Sequence, residues 1–143
     1  MKYPMLSACL PFKYRQTTDK ETFKFSCGGW NGKKIKVVEG VASALGLKNV
    51  KADQVRVETM KEKFDFIVSR AVTAFPSFMT LVRNRIQKGG CNELPNGIIY
   101  LKGGDFEEEI KDFRERITVY NIPEFFDEEF FETKKVIYMK YLK

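Results

Sequence analysis

The chain has 143 residues, a formal net charge of +6 at pH 7 and a hydrophobic content of 43%, which fit one globular domain with a sizeable core. It contains no histidine, and this excludes Ser-His-Asp and Cys-His catalysis together with most catalytic zinc sites. The three cysteines lie singly along the chain, so neither a disulfide framework nor a metal site is expected. No apolar run is long enough to span a membrane and no signal peptide is recognisable, so we expect a cytoplasmic protein.

The charge is unevenly distributed along the chain. Residues 1–104 hold 18 Lys and Arg against 8 Asp and Glu, or +10, whereas residues 105–143 hold 7 against 11, or −4. A basic body with an acidic C-terminal part would attract a polyanion to one side only. An ordinary solvated surface is the alternative explanation.

The N-terminal segment, residues 1–31, is polar with little periodicity, so it supports no assignment and is treated as an atypical leader. From Lys33 onward the pattern is regular. Apolar residues recur at spacings of 3, 4 and 3 along "KKIKVVEGVASALGL", which predicts a helix that ends near Gly46. The expected buried face of this helix consists of Ile35, Val38, Ala42 and Leu45. The β-branched segment "VKADQVRVE" then predicts a strand that ends near Val57.

The rest of the chain alternates between strands and helices. "KFDFIVSRA" predicts a strand that is apolar on both faces, as a central parallel strand would be. "SFMTLVRNRIQKGG" predicts a helix closed by glycine, and "NGIIYLKGG" predicts another buried strand. After a charged helical segment, "ITVYNI" and "KKVIYMKYL" predict two strands that pair antiparallel. This order indicates an α/β sheet that is largely parallel and has an antiparallel C-terminal edge.

Each predicted strand ends in polar or glycine residues. The carboxyl ends of parallel strands form the edge at which open α/β sheets bind ligands. We expect three such ends side by side on one rim: Val57-Glu58, Ser69-Arg70 and Lys102-Gly103. Arg70 directly follows an apolar strand, where a guanidinium needs an anionic or carbonyl partner. That partner could be a ligand or, as a structural ion pair, Glu58; Glu58 as a solvated loop residue and Lys102 as part of a simple turn are further alternatives.

Three lysines open the first predicted helix in "GKKIK", residues 32–36. Cations at a helix N-terminus oppose the helix dipole and cost stability unless an anion compensates. This favours a contact with nucleic acid, and solvated lysines are the alternative. The aromatic residues are largely phenylalanines at core spacings, which we interpret as core rather than as a base-stacking platform.

Five stretches occur in an order that resembles a known family: "GKKIKVVEGVASALGLKNV", "RVET", "FDFIVSRAV", "LKGG" and "FFETKKVIYMKY". They resemble the RsmG family, also called glucose-inhibited division protein B, the guanine-N7 methyltransferases of small-subunit (16S) ribosomal RNA. The resemblance covers about residues 32–143, which we expect to form a partial methyltransferase domain.

The resemblance implies a class I S-adenosylmethionine-dependent fold, with a Rossmann-like sheet and the methyl donor across its strand ends. It implies donor contacts from Val57, Glu58 and Arg70. It also implies contacts to RNA phosphates from Lys33, Lys34 and Lys102. The expected partner is small-subunit ribosomal RNA, bound by a monomer without metal or membrane.

The missing histidine is compatible with this chemistry. The sulfonium of S-adenosylmethionine is already an activated donor, so the protein mainly holds guanine N7 in line with the methyl group. No catalytic residue is assigned from the sequence.

The chain departs from the family pattern before residue 32. The family carries a glycine-rich turn after its first strand, D-x-G-x-G-G-G-F-P-G, which lets the backbone approach the donor. This chain has no such motif. Gly29 stands roughly where the family has an acidic residue that binds the ribose hydroxyls. We therefore expect a sheet that is incomplete at its N-terminal part and exposes a strand edge.

Three functions are open at this point. The first is a ribosomal RNA methyltransferase, and the alternative is a catalytically inactive fragment of that family with residual RNA binding. The third is a small anion-binding α/β domain in which Arg70 and Gly103-Gly104 clamp the anion. The absence of a P-loop and of GxGxxG counts against this last function. For residues 1–31, one hypothesis is a shifted reading frame, which resequencing the gene would test.

Overall fold

The computed structural model describes residues 10–17, 20–28, 32–56, 59–70, 74–89 and 93–141, with only the backbone described up to residue 28. The strands are β1 (Leu10–Thr17), β2 (Lys20–Gly28), β3 (Val50–Asp53), β4 (Phe66–Arg70), β5 (Gly97–Gly103), β6 (Ile117–Asn121) and β7 (Lys134–Lys140). The helices are α1 (Gly32–Ala44), α2 (Phe75–Val82) and α3 (Glu107–Ile110). Among these described residues, no helix is both long and apolar enough to cross a membrane.

All seven strands belong to one sheet with the order β3-β2-β1-β4-β5-β7-β6. β2 pairs parallel with β3, and β4 pairs parallel with β5. β1 is antiparallel to both of its neighbours, and so is β7. Strands β2 to β6 therefore run in one direction, while β1 and β7 run in the other.

This topology confirms an α/β architecture with an antiparallel C-terminal edge. The order 3-2-1-4-5 is that of doubly wound α/β sheets. The expectation of a largely parallel sheet was wrong, because the two reversed strands make four of the six pairings antiparallel.

The N-terminal segment differs most from expectation. Residues 10–17 and 20–28, treated above as part of a leader, form β1 and β2. β1 pairs with β4 from Leu10 opposite Val68 to Phe12 opposite Phe66. The predicted open edge at this position was therefore wrong. Backbone groups along a central strand need partners, and β1 supplies them despite its weak strand periodicity.

Three element boundaries also differ from the sequence pattern. β3 ends at Asp53 rather than near Val57, and α2 ends at Val82, before the glycine pair. α1 begins at Gly32 as predicted, but Leu45 follows the helix and is 67% exposed. Of the expected apolar face only Ile35 is buried, so α1 packs less closely than its periodicity predicts.

The core lies between one face of the central strands and helices α2 and α3. Ile67 of β4, Tyr100 of β5 and Met139 of β7 are completely buried there. The rings of Phe75 and Phe78 in α2 pack on Tyr100 at centroid distances of 5.6 and 5.1 Å. Edge-to-face and tilted contacts of this kind stabilise aromatic pairs, and here they fix α2 against β5.

A polar cluster closes the edge at which β4 and β5 begin. Asn96 is only 5% exposed, and its Nδ2 donates to Asp65 Oδ1 at 3.0 Å. The same amide nitrogen lies within hydrogen-bonding distance of the carbonyl oxygens of Gln87, at 3.1 Å, and of Gly89. Buried polar groups are stable only when hydrogen-bonded, so this cluster ties the starts of the two strands to the chain that follows α2.

Candidate functional site

The opposite edge of the sheet gathers the carboxyl ends of five described strands. Because β2 to β6 run in one direction, their last residues lie along it: Gly28, Asp53, Arg70, Gly103 and Asn121. We call this the carboxyl edge. Helices α1 and α2 begin there, since each follows one of these strands, and helix N-termini favour negative charge. Open α/β sheets bind their ligands at such an edge.

Ser69 and Arg70 lie where β4 reaches the carboxyl edge. The Arg70 side chain is exposed. Ser69 is 1% exposed and shares the α2 face of the sheet with Ile67, two residues earlier. Its Oγ has no hydrogen-bond partner within the described part of the chain. Leaving a buried hydroxyl without a hydrogen bond is unfavourable, so Ser69 is a candidate for a contact with a ligand.

Lys102, one residue before the end of β5, is paired inside the fold. Its Nζ lies 3.0 Å from both carboxylate oxygens of Glu109. Glu109 Oε2 also accepts the backbone N–H of Phe75 at 3.0 Å and so caps α2, whose N-cap residue Ala74 makes no side-chain cap. Lys102 thus has a structural partner, and its predicted contact with RNA stays a prediction.

Gly104 turns the chain out of β5. Its φ of 75° lies in the left-handed region that favours glycine. Its N–H donates to the carbonyl of Thr133 at 3.2 Å. The interpretation of "LKGG" as a simple turn is therefore supported. The Gly104 N–H is used in a backbone hydrogen bond of the fold rather than in an anion clamp.

Two lysines at the carboxyl edge were missed by the sequence reasoning. Lys134 and Lys135 open β7, and Lys135 lies opposite Lys102 in the register. Lys134 Nζ lies 5.1 Å from the ring centroid of Phe130, and Lys135 Nζ lies 5.4 Å from that of Phe106. The signal in the sequence was the lysine pair at the start of a strand, but its place beside β5 follows only from the antiparallel register.

The remaining predicted site residues are farther apart than expected. Lys33 and Lys34 lie in the first turn of α1. This turn of the described helix contains no acidic residue. In the sheet order, β2 is three positions from β5, or about 14 Å, so these lysines lie well away from Lys102. Val57 and Glu58 lie outside the described residues. Because β2 and β1 separate β3 from β4, the expectation of three adjacent strand ends was wrong.

The described residues contain no cluster of three or more acidic or cysteine side chains that could hold a metal ion. The charged groups that they bring to the carboxyl edge are mainly cationic.

Comparison with solved structures identifies the fold first. A crystal structure of an rRNA methylase from Streptococcus thermophilus matches with a TM-score of 0.53 and 10% sequence identity, covering 82% of this chain and 73% of that one. At this identity the likeness shows the fold alone, which is a Rossmann-like α/β fold.

Sequence comparison then identifies the family. The model of GidB, described as rRNA small subunit methyltransferase G, matches residues 24–137. The proteins named ribosomal RNA small subunit methyltransferase G in Flavobacterium psychrophilum and Flavobacterium johnsoniae are 58% and 57% identical over 107 residues. The Bacteroides fragilis protein of that name is 47% identical over 108 residues. The chain belongs to the GidB family, as its motifs predict.

Each alignment covers a larger share of this chain than of its relative. It takes in 75% of this chain but 51% of either Flavobacterium protein, and 76% against 52% for Bacteroides fragilis. The chain therefore spans about half the length of the curated relatives it matches.

The residues present fit S-adenosylmethionine only in part. The resemblance implies a glycine-rich turn after the first strand, at the carboxyl edge. Here β1 runs against β4, so its last residue, Thr17, lies at the opposite edge. The end of β1 is therefore not at the carboxyl edge, where that turn would hold the donor. On the β4 side, by contrast, the buried Ser69 hydroxyl and the Arg70 cation suit a polar, partly anionic ligand.

Proposed function

We propose that the protein acts in the guanine-N7 methylation of small-subunit ribosomal RNA, with S-adenosylmethionine bound at the carboxyl edge. The family match over residues 24–137 carries this proposal, and the side-by-side ends of β4 and β5 support it. A monomeric state and a cytoplasmic location belong to the same proposal. Because the chain spans about half of its relatives, their activity is a hypothesis for this chain.

The proposed donor contacts are Val57, Glu58 and Arg70, to which we add Ser69. A ligand atom near the Ser69 hydroxyl would supply the hydrogen bond that this buried group lacks among the described residues. The planar guanidinium of Arg70 can hold an anionic group through two parallel hydrogen bonds. S-adenosylmethionine supplies an activated methyl group when bound. The chain's own part is to bind and orient the reactants.

The proposed RNA contacts lie on both sides of the donor position. Lys33 and Lys34 lie toward β2, while Lys134 and Lys135 lie beside β5 together with Lys102. Lysines that bind RNA phosphates release the counterions of the RNA, so RNA affinity should fall steeply as the salt concentration rises. Lys102 contributes less in this arrangement, because Glu109 already neutralises its charge.

An inactive family member with residual RNA binding is the second candidate. The reversed β1 favours it, because the end of this strand, after which the family's donor-binding turn is expected, lies at the opposite edge. The two candidates differ in donor affinity and agree on RNA binding.

Calorimetric titration with S-adenosylmethionine tests the proposal. We compare the wild-type chain, Arg70→Ala, and Arg83→Ala as a matched control, since Arg83 is exposed at the other end of α2. We expect saturable binding that Arg70→Ala weakens about tenfold or more, as for loss of a charged hydrogen bond, and that Arg83→Ala leaves unchanged. The full-length Flavobacterium psychrophilum relative is the reference, and we expect tighter binding by it.

Methyl incorporation into small-subunit ribosomal RNA, measured with the same proteins, completes the test. A folded chain that binds RNA but neither binds the donor nor incorporates methyl groups would establish the second candidate. Equal losses in both arginine variants would contradict a donor site at the carboxyl edge.

A further inference from the structure

The segment between β6 and β7, residues 122–133, exposes aromatic rings among carboxylates. It contains four phenylalanines, five acidic residues and no lysine or arginine. We call it the acidic aromatic loop. Phe125, Phe126 and Phe130 are 69%, 54% and 70% exposed, so the expectation that the phenylalanines belong to the core was wrong for these three. Its carboxylates are those of Glu124, Asp127, Glu128, Glu129 and Glu132.

The loop is built from hydrogen-bonded turns that hold these rings outward. The Phe126 N–H donates to the Ile122 carbonyl at 3.1 Å, and the Phe131 N–H donates to the Glu128 carbonyl at 2.8 Å. The half-buried Phe131 ring contacts those of Phe126 and Phe130 at centroid distances of 5.3 and 5.2 Å. The exposed rings are thus supported from inside the loop, which limits the entropy lost when they bind a partner.

We propose that the acidic aromatic loop is a docking surface for a basic polypeptide segment that also carries apolar side chains. Contiguous exposed apolar groups on a soluble protein commonly mark interaction sites, and phenylalanine is enriched at interfaces. The surrounding carboxylates complement a cationic partner and steer it to the rings. The Lys134 ammonium, 5.1 Å from the Phe130 ring centroid, is an example within the chain of the cation–aromatic contact that the partner would make.

Charge and position favour a polypeptide over RNA as the occupant. Five carboxylates without a cation repel phosphates, whose attraction to lysine and arginine dominates RNA affinity. The cationic groups of the carboxyl edge lie close by, because the loop joins the end of β6 to the start of β7. In the sheet order β6 is two positions from β5, or about 10 Å. A basic partner on the loop would therefore lie beside the proposed RNA site.

Fluorescence anisotropy with a labelled peptide of Lys-Leu-Lys repeats tests this proposal on the whole chain. One variant removes the rings (Phe125→Ser, Phe126→Ser, Phe130→Ser), and another removes charge (Glu124→Gln, Glu128→Gln, Glu129→Gln). Matched controls change exposed positions elsewhere: Val37→Ser with Val41→Ser on α1, and Glu39→Gln with Glu62→Gln and Glu93→Gln. Circular dichroism confirms that each variant is folded.

We expect each loop variant to bind the peptide about tenfold more weakly or worse, and both controls to bind as the wild type does. A peptide of Glu-Leu-Glu repeats should not bind. Equal peptide binding by loop variants and controls would overturn the proposal. So would a loss of RNA binding in the ring variant without a loss of peptide binding, which would indicate base stacking. A wild-type dimer that the loop variants abolish, without any peptide binding, would indicate a second copy as the occupant. None of these results depends on donor binding, so failure here is distinct from failure of the proposed function.

Discussion

The two ends of β4 and β5 differ in whether their buried polar groups have hydrogen-bond partners. Where the strands begin, the Asn96 amide has carbonyl and carboxylate partners and is buried. Where they end, Ser69 is equally buried, but its hydroxyl has no partner among the described residues, and Arg70 is exposed next to it. A closed network stabilises the strands, whereas a buried hydroxyl without a described partner at a strand end is typical of a surface that is completed by a ligand.

The largest effect should come from the beginning of the strands. Asn96→Ala removes the shared donor of the buried polar cluster, and we expect it to lower the free energy of unfolding by about 3 kcal/mol. Urea unfolding monitored by circular dichroism measures this loss. Asn84→Ala, at an exposed position after α2, is the control and should change stability by less than about 0.5 kcal/mol. Equal effects of the two substitutions would contradict the account of this edge.

The pair formed by Lys102 and Glu109 should contribute less, because it is half-buried. Glu109→Gln removes the charge that neutralises Lys102, and we expect a loss of about 1–2 kcal/mol in the free energy of unfolding. It should also tighten RNA binding at low salt, because one lysine charge at the carboxyl edge is released. Glu108→Gln, whose side chain is 89% exposed, is the matched control and should leave stability nearly unchanged. If RNA affinity is the same in both variants, Lys102 does not face the RNA.

Tyr138 of β7 makes a pH-dependent contact with the chain just before β5. Its hydroxyl donates to the Pro95 carbonyl at 2.6 Å. Burial raises the pKa of its phenol, with a smaller contribution from the neighbouring Tyr120. The stability that the Tyr138 phenol contributes is therefore fully present below its unfolded-state pKa of about 10. This stability is lost as the pH rises through the higher pKa of the folded state.

Tyr138→Phe should accordingly lower the free energy of unfolding by about 1 kcal/mol at pH 7 and reduce its decline at alkaline pH. Unfolding curves measured at neutral pH and above pH 10 test both parts. An unchanged alkaline decline in the variant would assign that decline to other groups.

The smallest effect on stability should come from Ser69. Ser69→Ala removes a hydroxyl that has no hydrogen bond in the described structure, so the free energy of unfolding should change by less than about 0.5 kcal/mol or rise slightly. Affinity for S-adenosylmethionine should nevertheless fall. Ser77→Ala, at an exposed position in α2, is the control for both measurements. A stability loss as large as that of Asn96→Ala would show that Ser69 is a structural residue.

Several elements of the fold were predictable because their sequence patterns are local. The lysine-rich start of α1 at Gly32, the apolar run that ends at Arg70, and the antiparallel pairing of β6 with β7 all follow from periodicity and turn residues. β1 could not be predicted, because its segment has little alternation. It forms through pairing with β2 and β4, and strand formation depends on such context.

The candidate site was predictable to a smaller extent. The place of Arg70 at the end of β4 was predicted because an apolar run stops there, and its contact with the donor stays a prediction. Glu109 was missed because its role depends on a contact with Phe75, which lies 34 residues away. Lys134 and Lys135 were missed for a similar reason, since only the register of β7 brings them to the carboxyl edge.

Backbone hydrogen exchange with and without S-adenosylmethionine tests the central claim most directly, namely that the carboxyl edge of β4 and β5 binds the ligand. We predict slower exchange on donor addition near Ser69, Arg70 and Lys102, with no change near Asp65 and Asn96. Unchanged exchange at the carboxyl edge under saturating donor, or protection confined to the strand beginnings, would contradict the account.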